Sequence, residues 1–369
     1  MKKAVITVTN DLATDQRVQR SIALLREEGY SVTFVGRLLP GSMPFSPPYE
    51  TVRFRLPFRR GWLFYASYQL RLLWFLCCRR FDLYWSNDLD TLLPNFLVAR
   101  LSRRPLIYDS HEYFTGAPEL QHRSLVRGIW GALEKTLLPR LRHMITVNQS
   151  IARLYREAYG VNPTVVRNLG DDYRPPAASR RELGLPEAAF LLINQGSGIN
   201  VHRGMEEALE ALKLLPAEVH LLLVGRGDVL PQLREQALQL GVTARVHFVP
   251  PQPYQELLRY TQAADAGLSL DKATNLNYRY SLPNKLFDYI KCGVPVIASP
   301  VVEVRQLVEH YGLGELTEVR PEAIAAAVKR LRQAGKAAYQ PGLERAAREN
   351  NWAQERQRLR EVLRAATIR

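Results

Sequence analysis

Short apolar runs alternate along this chain with longer stretches whose apolar residues recur every three or four positions. That rhythm is a strand–helix repeat. In the first half, residues 4–9, 31–35, 51–55, 83–85, 106–108, 143–147 and 164–166 read as strands, with helices at 17–28, 91–101 and 125–138 among them. Strands alternating with helices predict a parallel sheet covered on both faces, with ligands received at the carboxyl ends of the strands. Residues 167–181 break the rhythm. Asn168, Gly170, Asp171, Asp172, Pro175 and Pro176 predict a linker there, with a short helix at 181–185 following it. A second series then places strands at 190–194, 220–224, 245–248, 266–270 and 294–298, and helices after Arg203, Val229, Tyr254, Asn284 and Val302. Residues 354–366 read as a charged amphipathic helix. The expected fold class is α/β, as two doubly wound Rossmann-like domains joined by a hinge.

Composition agrees with this picture. The 369 residues are too many for one ordinary domain, and 46% apolar with 23% charged residues is the balance of a globular protein. Cys77, Cys78 and Cys292 have no metal-ligand spacing and read as reduced thiols packed as small hydrophobes. The apolar run at 4–9 is too short for a signal-peptide core and reads as a first strand. No uninterrupted apolar run reaches membrane-spanning length, so the expected location is the cytoplasm.

Charge changes the picture more. The net charge is +14, and the segment from Arg53 to Arg80 carries seven arginines and no acid, interleaved with Trp62, Phe64, Tyr65, Tyr68, Trp74 and Phe75. Rings at headgroup level with cations beside them suit the surface of an anionic membrane, and Arg71 in the middle argues against spanning. The plainer alternative is a core-packing helix with a solvated basic edge. No nucleic-acid-binding module accompanies the charge, so no nucleic-acid partner is expected.

Candidate chemistry concentrates at strand ends. Pro283 and Asn284 make a turn that opens a short amphipathic helix, which Gly293 ends before the strand at 294–298. A helix N-terminus presents unpaired N–H groups and partial positive charge, which suits a phosphate. Lys285 adds a full charge there, and Asp288, one turn on, can accept hydrogen bonds from sugar hydroxyls. Residues 195–204 form a second loop between strand and helix, in which Gly196 lets the backbone approach a phosphate and Arg203 can clamp it. Gly225 marks another strand-end turn. In the first half, Asp109, His111 and Glu112 follow a strand directly in a run too polar for a core. Asp15 is placed to cap the helix at 17–28, while Asp11 and Arg17 can reach the cleft expected between the domains. Asp88 and Asp90 form an Asp-x-Asp, a pattern that can hold a metal. Here they read as capping the helix near Thr91, and no metal is expected.

The stretch 281–299 resembles the donor-site motif of the family-4 retaining glycosyltransferases of the GT-B fold, usually a turn followed by P-x-K-x-x-E-x-x-x-x-G-x-P-V-I. The remaining motifs extend the resemblance over nearly the whole chain. It implies two domains facing each other across a cleft, an acceptor-binding domain at 1–167 and a nucleotide-sugar-binding domain at 168–351, with the last helix, 352–369, packing back onto the first. It implies transfer of a sugar from a nucleotide diphosphate to a cell-envelope glycan or lipid-linked acceptor, with retention, without a cofactor or metal. The resemblance assigns Arg203, Lys285, Pro283 and Asn284 to the diphosphate, Gly196 and Gly225 to the nucleotide, and Asp288 to the ribose. It assigns His111 to the reacting sugar or acceptor, and Asp11, Arg17, Asp109 and Glu112 to the acceptor side. Two departures stand out. Gly196 and Ser197 replace an arginine common in that loop, and Tyr280 replaces the first of two glutamates eight positions apart, the second being Asp288; Asp271 lies nearby in sequence as a candidate for the missing charge. Two alternatives share the scaffold: a non-catalytic nucleotide-sugar-binding protein, which the missing glutamate favours, and a nucleotide-sugar 2-epimerase, which would need acidic and histidine catalytic groups in the donor half that the sequence does not offer.

Overall fold

The computed structural model describes residues 1–368 apart from 14, 43, 118, 119, 121, 122, 174, 175 and 177. The linker expectation at Pro175 therefore lies outside the described residues. The chain divides into two compact units, Met1–Asn168 with Gln354–Arg369, and Leu169–Ala353.

The first unit is built on seven parallel strands in the order β3-β2-β1-β4-β5-β6-β7. These are β1 (Lys2–Asp11), β2 (Tyr30–Arg37), β3 (Glu50–Phe54), β4 (Leu83–Asn87), β5 (Leu106–Ser110), β6 (His143–Thr146) and β7 (Thr164–Val165). Its helices are α1 (Gln16–Glu27), α2 (Gly61–Cys77), α3 (Leu89–Leu101), α4 (Ser124–Leu137) and α5 (Gln149–Tyr159). The central strands β1 and β4 are mostly apolar and buried on successive positions, because both of their faces are covered. On one face Phe64, Tyr68, Leu72 and Phe75 of α2 pack with Val5, Val35 and Tyr84 of the sheet and with Val98 of α3. Asp15 caps α1 through a hydrogen bond from the Val18 amide (3.1 Å), as the sequence predicts. The chain's last helix, α14 (Trp352–Thr367), turns its Glu355 to the first unit, where the carboxylate is fully buried against Arg167 (2.6 Å).

The second unit has six parallel strands in the order β10-β9-β8-β11-β12-β13. They are β8 (Phe190–Gly196), β9 (Val219–Gly225), β10 (Val246–Val249), β11 (Ala266–Ser269), β12 (Val296–Ala298) and β13 (Gly314–Leu316). One face is covered by α6 (Met205–Lys213), α7 (Leu230–Gln239) and α12 (Pro321–Ala334), and the other by α8 (Tyr254–Ala263), α10 (Asn284–Lys291), α11 (Val302–Tyr311) and α13 (Gln340–Glu349). A short α9 (Leu276–Arg279) lies in the loop between β11 and α10. Burying one such leucine or isoleucine fully stabilises by about 1.5–3 kcal/mol, so these two apolar layers dominate the unit's stability.

Three expectations need correction. Residues 181–185 form hydrogen-bonded turns rather than a helix, because Gly184 takes a left-handed conformation (φ 67°) and Pro186 follows soon after. Cys77 and Cys78 are exposed at the end of α2 instead of packed, since the buried stripe of that helix ends at Leu76. Asp88 and Asp90 do not cap α3 with their side chains. Asp88 has a positive φ (57°) that turns its carboxylate toward β5, and Asp90 reaches back to Thr9 of β1.

Candidate functional site

Parallel sheets place ligands where the strand order reverses, at the carboxyl ends of the strands. In the second unit that point lies between β8 and β11, and in the first between β1 and β4. Polar side chains gather at both.

In the second unit, β8 ends in Asn194, Gln195 and Gly196, and the loop after it leads to Arg203. Arg203 Nη1 lies 2.6 Å from Oδ2 of Asp271, just beyond β11, and its guanidinium stacks over the Tyr278 ring at 4.3 Å. Ser281 Oγ donates to the same Asp271 oxygen (3.0 Å). The other oxygen, Oδ1, is buried without a hydrogen bond among the described residues. Pro283 is the N-cap of α10 and Asn284 its exposed first residue. Lys285 follows, with Nζ donating to Asn194 Oδ1 (3.2 Å). Burial brings the Lys285 ammonium down to about 8, with Arg203 pushing the same way and Asp271 opposing. Arg203, Lys285 and Asp271 thus form one charged group with a net positive charge.

Asp288 sits one turn further along α10 and is buried. Its Oδ1 accepts from the Tyr254 hydroxyl (2.6 Å) and its Oδ2 from Gln195 Nε2 (3.0 Å). Lys291 Nζ donates to the Tyr254 oxygen in turn (3.1 Å). Tyr254, Gln195 and Asn194 were not singled out in the sequence, because each acts through a partner far away along the chain.

The glycines of these loops have a packing reason. Gly225 has φ 140°, and a Cβ there would stand 2.0 Å from the Gly196 carbonyl oxygen. The two turns are joined by Arg226 N–H to Gly196 O (3.1 Å) and Ile199 N–H to Arg226 O (3.1 Å). The loop that carries Arg203 is therefore held against the end of β9.

In the first unit, Asp109 at the end of β5 is fully buried, and Arg17 of α1 grips it through Nε and Nη2, with Nη2 at 2.7 Å. Arg17 Nη1 also donates to the Val166 carbonyl (2.8 Å). The pair is thus bound internally and acts through what it supports. His111 lies above it, with Nε2 at 3.9 Å from Asp109 and Nδ1 at 3.3 Å from Asp88, whose other oxygen accepts from the His111 amide (2.9 Å). Nε2 is buried without a hydrogen bond among the described residues. Burial raises the Asp88 carboxyl against the opposing effect of His111. Burial and then the Asp88 charge raise Asp90 to about 7. Glu112 lies half-buried in the next turn, its carbonyl accepting from Ser110 Oγ and the Tyr155 hydroxyl. Asp11 is paired with Arg53 (2.6 Å) and also accepts from Ser42 and the Ala13 amide. Among the described residues, no group of three or more His, Cys, Asp or Glu side chains is arranged to hold a metal ion.

Comparison with known proteins decides the family. The model of glycosyltransferase family 4 matches residues 16–171, and that of glycosyl transferases group 1 matches residues 177–349. The chain belongs to the group 1 glycosyltransferases. This transferase shares the GT-B fold with several solved structures. A sucrose-phosphate synthase of Thermosynechococcus elongatus superposes with a TM-score of 0.79 at 20% identity, covering 99% of each chain. Anabaena HepE, solved with UDP, superposes at 0.77 with 17% identity, covering 99% of this chain and 100% of that one. WaaG, a glycosyltransferase involved in lipopolysaccharide biosynthesis, superposes at 0.67 with 15% identity, covering 99% and 98%. At such identities the likeness carries the fold alone. No curated protein matches the glycosyltransferase in sequence.

Proposed function

We propose that this glycosyltransferase moves a hexose or similar sugar from a nucleotide diphosphate to a cell-envelope glycan or lipid-linked acceptor in the cytoplasm, with retention of configuration. The observation that carries the donor half is the placement of two cations at the carboxyl end of the sheet: Arg203, paired with Asp271, and Lys285, in the first turn of α10 and bonded to Asn194. As the bond from the sugar's anomeric carbon to the phosphate oxygen breaks, negative charge grows on the departing diphosphate. Two cations and a helix end aimed at that charge stabilise it most when it is greatest. The acceptor's oxygen bonds to the anomeric carbon on the face the phosphate leaves, and its proton passes to the departing phosphate oxygen. This step needs no nucleophile from the protein. Because the counter-charge comes from side chains and a helix end, the reaction calls for no metal.

Asp288 serves the ribose through whichever oxygen its partners Tyr254 and Gln195 yield. Asp271 supports Arg203, and its Oδ1, buried without a hydrogen bond among the described residues, is the atom left for a sugar hydroxyl, in partial compensation for Tyr280. In the first unit, Asp88 holds His111 through Nδ1 and the backbone amide, and Nε2, which has no hydrogen bond among the described residues, is the ring atom left for a sugar or acceptor hydroxyl. HepE has been solved with UDP and with UDP-glucose, which makes UDP-sugars the first donors to try.

The test is release of nucleoside diphosphate from a panel of nucleotide sugars by the purified protein, with and without EDTA. Release from one donor, unchanged by EDTA, supports the reading. Tight binding of a donor with no release, even with envelope extract as acceptor, favours the non-catalytic alternative.

A further inference from the structure

The helices that cover one face of the first unit's sheet carry apolar side chains on their outer sides as well as their inner ones. On α2 the buried stripe is Phe64, Tyr68, Leu72 and Phe75, yet Leu63, Leu70 and Trp74 make a second stripe at helical spacing that faces solvent. Trp74 is 69% exposed, Leu70 68%, and Trp62 in the first turn 73%. The neighbouring α3 does the same with Leu97 and Leu101, and α4 with Leu125 and Ile129. The three helices are joined beneath this layer. Val98 and Ala99 of α3 share a core with α2, and the Tyr65 ring of α2 meets Trp130 of α4 edge-on at 5.2 Å. Exposed large apolar residues are ordinary when scattered, but three adjacent helices each presenting them is a surface with a purpose.

Charge says what covers it. The acids within these three helices, Asp90 and Glu134, are both buried, and residues 51–81, 91–108 and 120–133 contain no aspartate or glutamate. Those segments contain Arg59 and Arg60 before α2, Arg80 after it, Arg100 and Arg103 around the end of α3, and Arg123 and Arg127 at the start of α4, besides Arg79 and Arg104, which pair with Glu50 and Asp82. A protein partner would need an equally large acidic and apolar counter-surface. A bilayer with anionic headgroups offers both chemistries together: phosphate charge at the level of the guanidinium groups, and acyl chain just below for tryptophan and leucine. Among the described residues no helix is long and apolar enough to cross a membrane, so the contact is with its surface.

We infer that the outer faces of α2, α3 and α4 together form a docking surface for an anionic lipid bilayer. The inference goes beyond the transferase reading and stands without it, because the surface is separate from the groups around Lys285 and its test uses no nucleotide sugar. The acceptor class it favours is one held at that surface.

The experiment is flotation of the full chain with vesicles of phosphatidylcholine alone and of phosphatidylcholine with phosphatidylglycerol, at low salt and at about 1 M salt, where the screening length falls to about 3 Å. Tryptophan emission is followed in parallel. The paired substitution Leu70→Ser and Trp74→Ser removes part of the stripe from positions that face solvent, and Leu238→Ser, an exposed leucine of the second unit, is the control. The expected result is binding to the anionic vesicles with a blue shift in emission, weakened by salt. The paired variant should lose at least tenfold in vesicle affinity with an unchanged melting temperature, while Leu238→Ser binds as the parent does. No binding to anionic vesicles at low salt overturns the inference, and so does binding that the paired variant keeps. Self-association that the paired variant abolishes, without vesicle binding, overturns it in favour of a second copy of the chain.

Discussion

Arg203 reaches Asp271 across 68 residues of sequence, with Nη1 2.6 Å from Oδ2, so the candidate diphosphate clamp is already braced by its own carboxylate. A guanidinium held in place loses less freedom when it binds an anion than one waving in solvent, and its remaining donors point where the carboxylate is not. Asp271→Asn is expected to keep the fold but weaken nucleoside diphosphate binding by about tenfold, roughly 1.4 kcal/mol. Calorimetric titration of wild type and variant checks this.

Lys285 is expected to give donor binding a pH dependence. Its ammonium titrates near 8 in the free protein, and a bound diphosphate raises that value by adding negative charge. The complex therefore holds more protons than the free protein above pH 8, and affinity falls as pH rises through that range. The slope approaches tenfold per pH unit between the free and the bound value. Lys285→Arg, which stays charged, should flatten the profile between pH 7 and 9.

Asp90 is expected to make the folded state less stable as pH rises. Its folded value near 7 lies above the ordinary carboxylate value, so the native state binds more protons between about pH 4 and 7. Stability is therefore lost across that window and levels off above it. Asp90→Asn keeps an acceptor for Thr9 and should raise the melting temperature at pH 8 but not at pH 4. The gain should be on the order of a few kcal/mol. Melting curves of both proteins across pH 4–8 decide it.

Removing the Arg17 side chain strands the Asp109 charge in a fully buried site. Arg17→Met is expected to cost about 3–5 kcal/mol of stability, far more than loss of an exposed arginine. Urea unfolding midpoints beside those of Arg60→Met, on the surface, test the difference.

Much of this was readable from local pattern. Lys285 announces itself because a turn, a short amphipathic helix, a left-handed glycine and a buried strand follow one another within 20 residues or so, and every link is a neighbour in sequence. The bracing of Arg203 by Asp271 and the capture of Asp288 by Tyr254 are pairings across the sheet, which carry no local signature. Asp88 misled for a subtler reason. Its position before α3 suits a cap, and only its positive φ sends the carboxylate to His111 instead. The exposed cysteines of α2 misled because both faces of that helix are apolar, so sequence periodicity could not say which was inside. The helix α12 was missed despite its signals, with Pro321 in the first turn and Ile324, Ala327, Val328 and Leu331 spaced as a buried stripe. β13 is three residues long and holds its place by pairing with β12, which no pattern in so short a segment reveals.

The most direct test of the account is a thermal-shift titration with nucleoside diphosphates and their sugars, run on wild type, Lys285→Ala and Arg203→Ala. Ligand that binds the native state raises its melting temperature by mass action. The account predicts a shift in the wild type with one base, largely lost in both variants while their own melting temperatures stay near the parent's. An equal shift in all three proteins would contradict it, because the diphosphate would then be held somewhere other than beside α10.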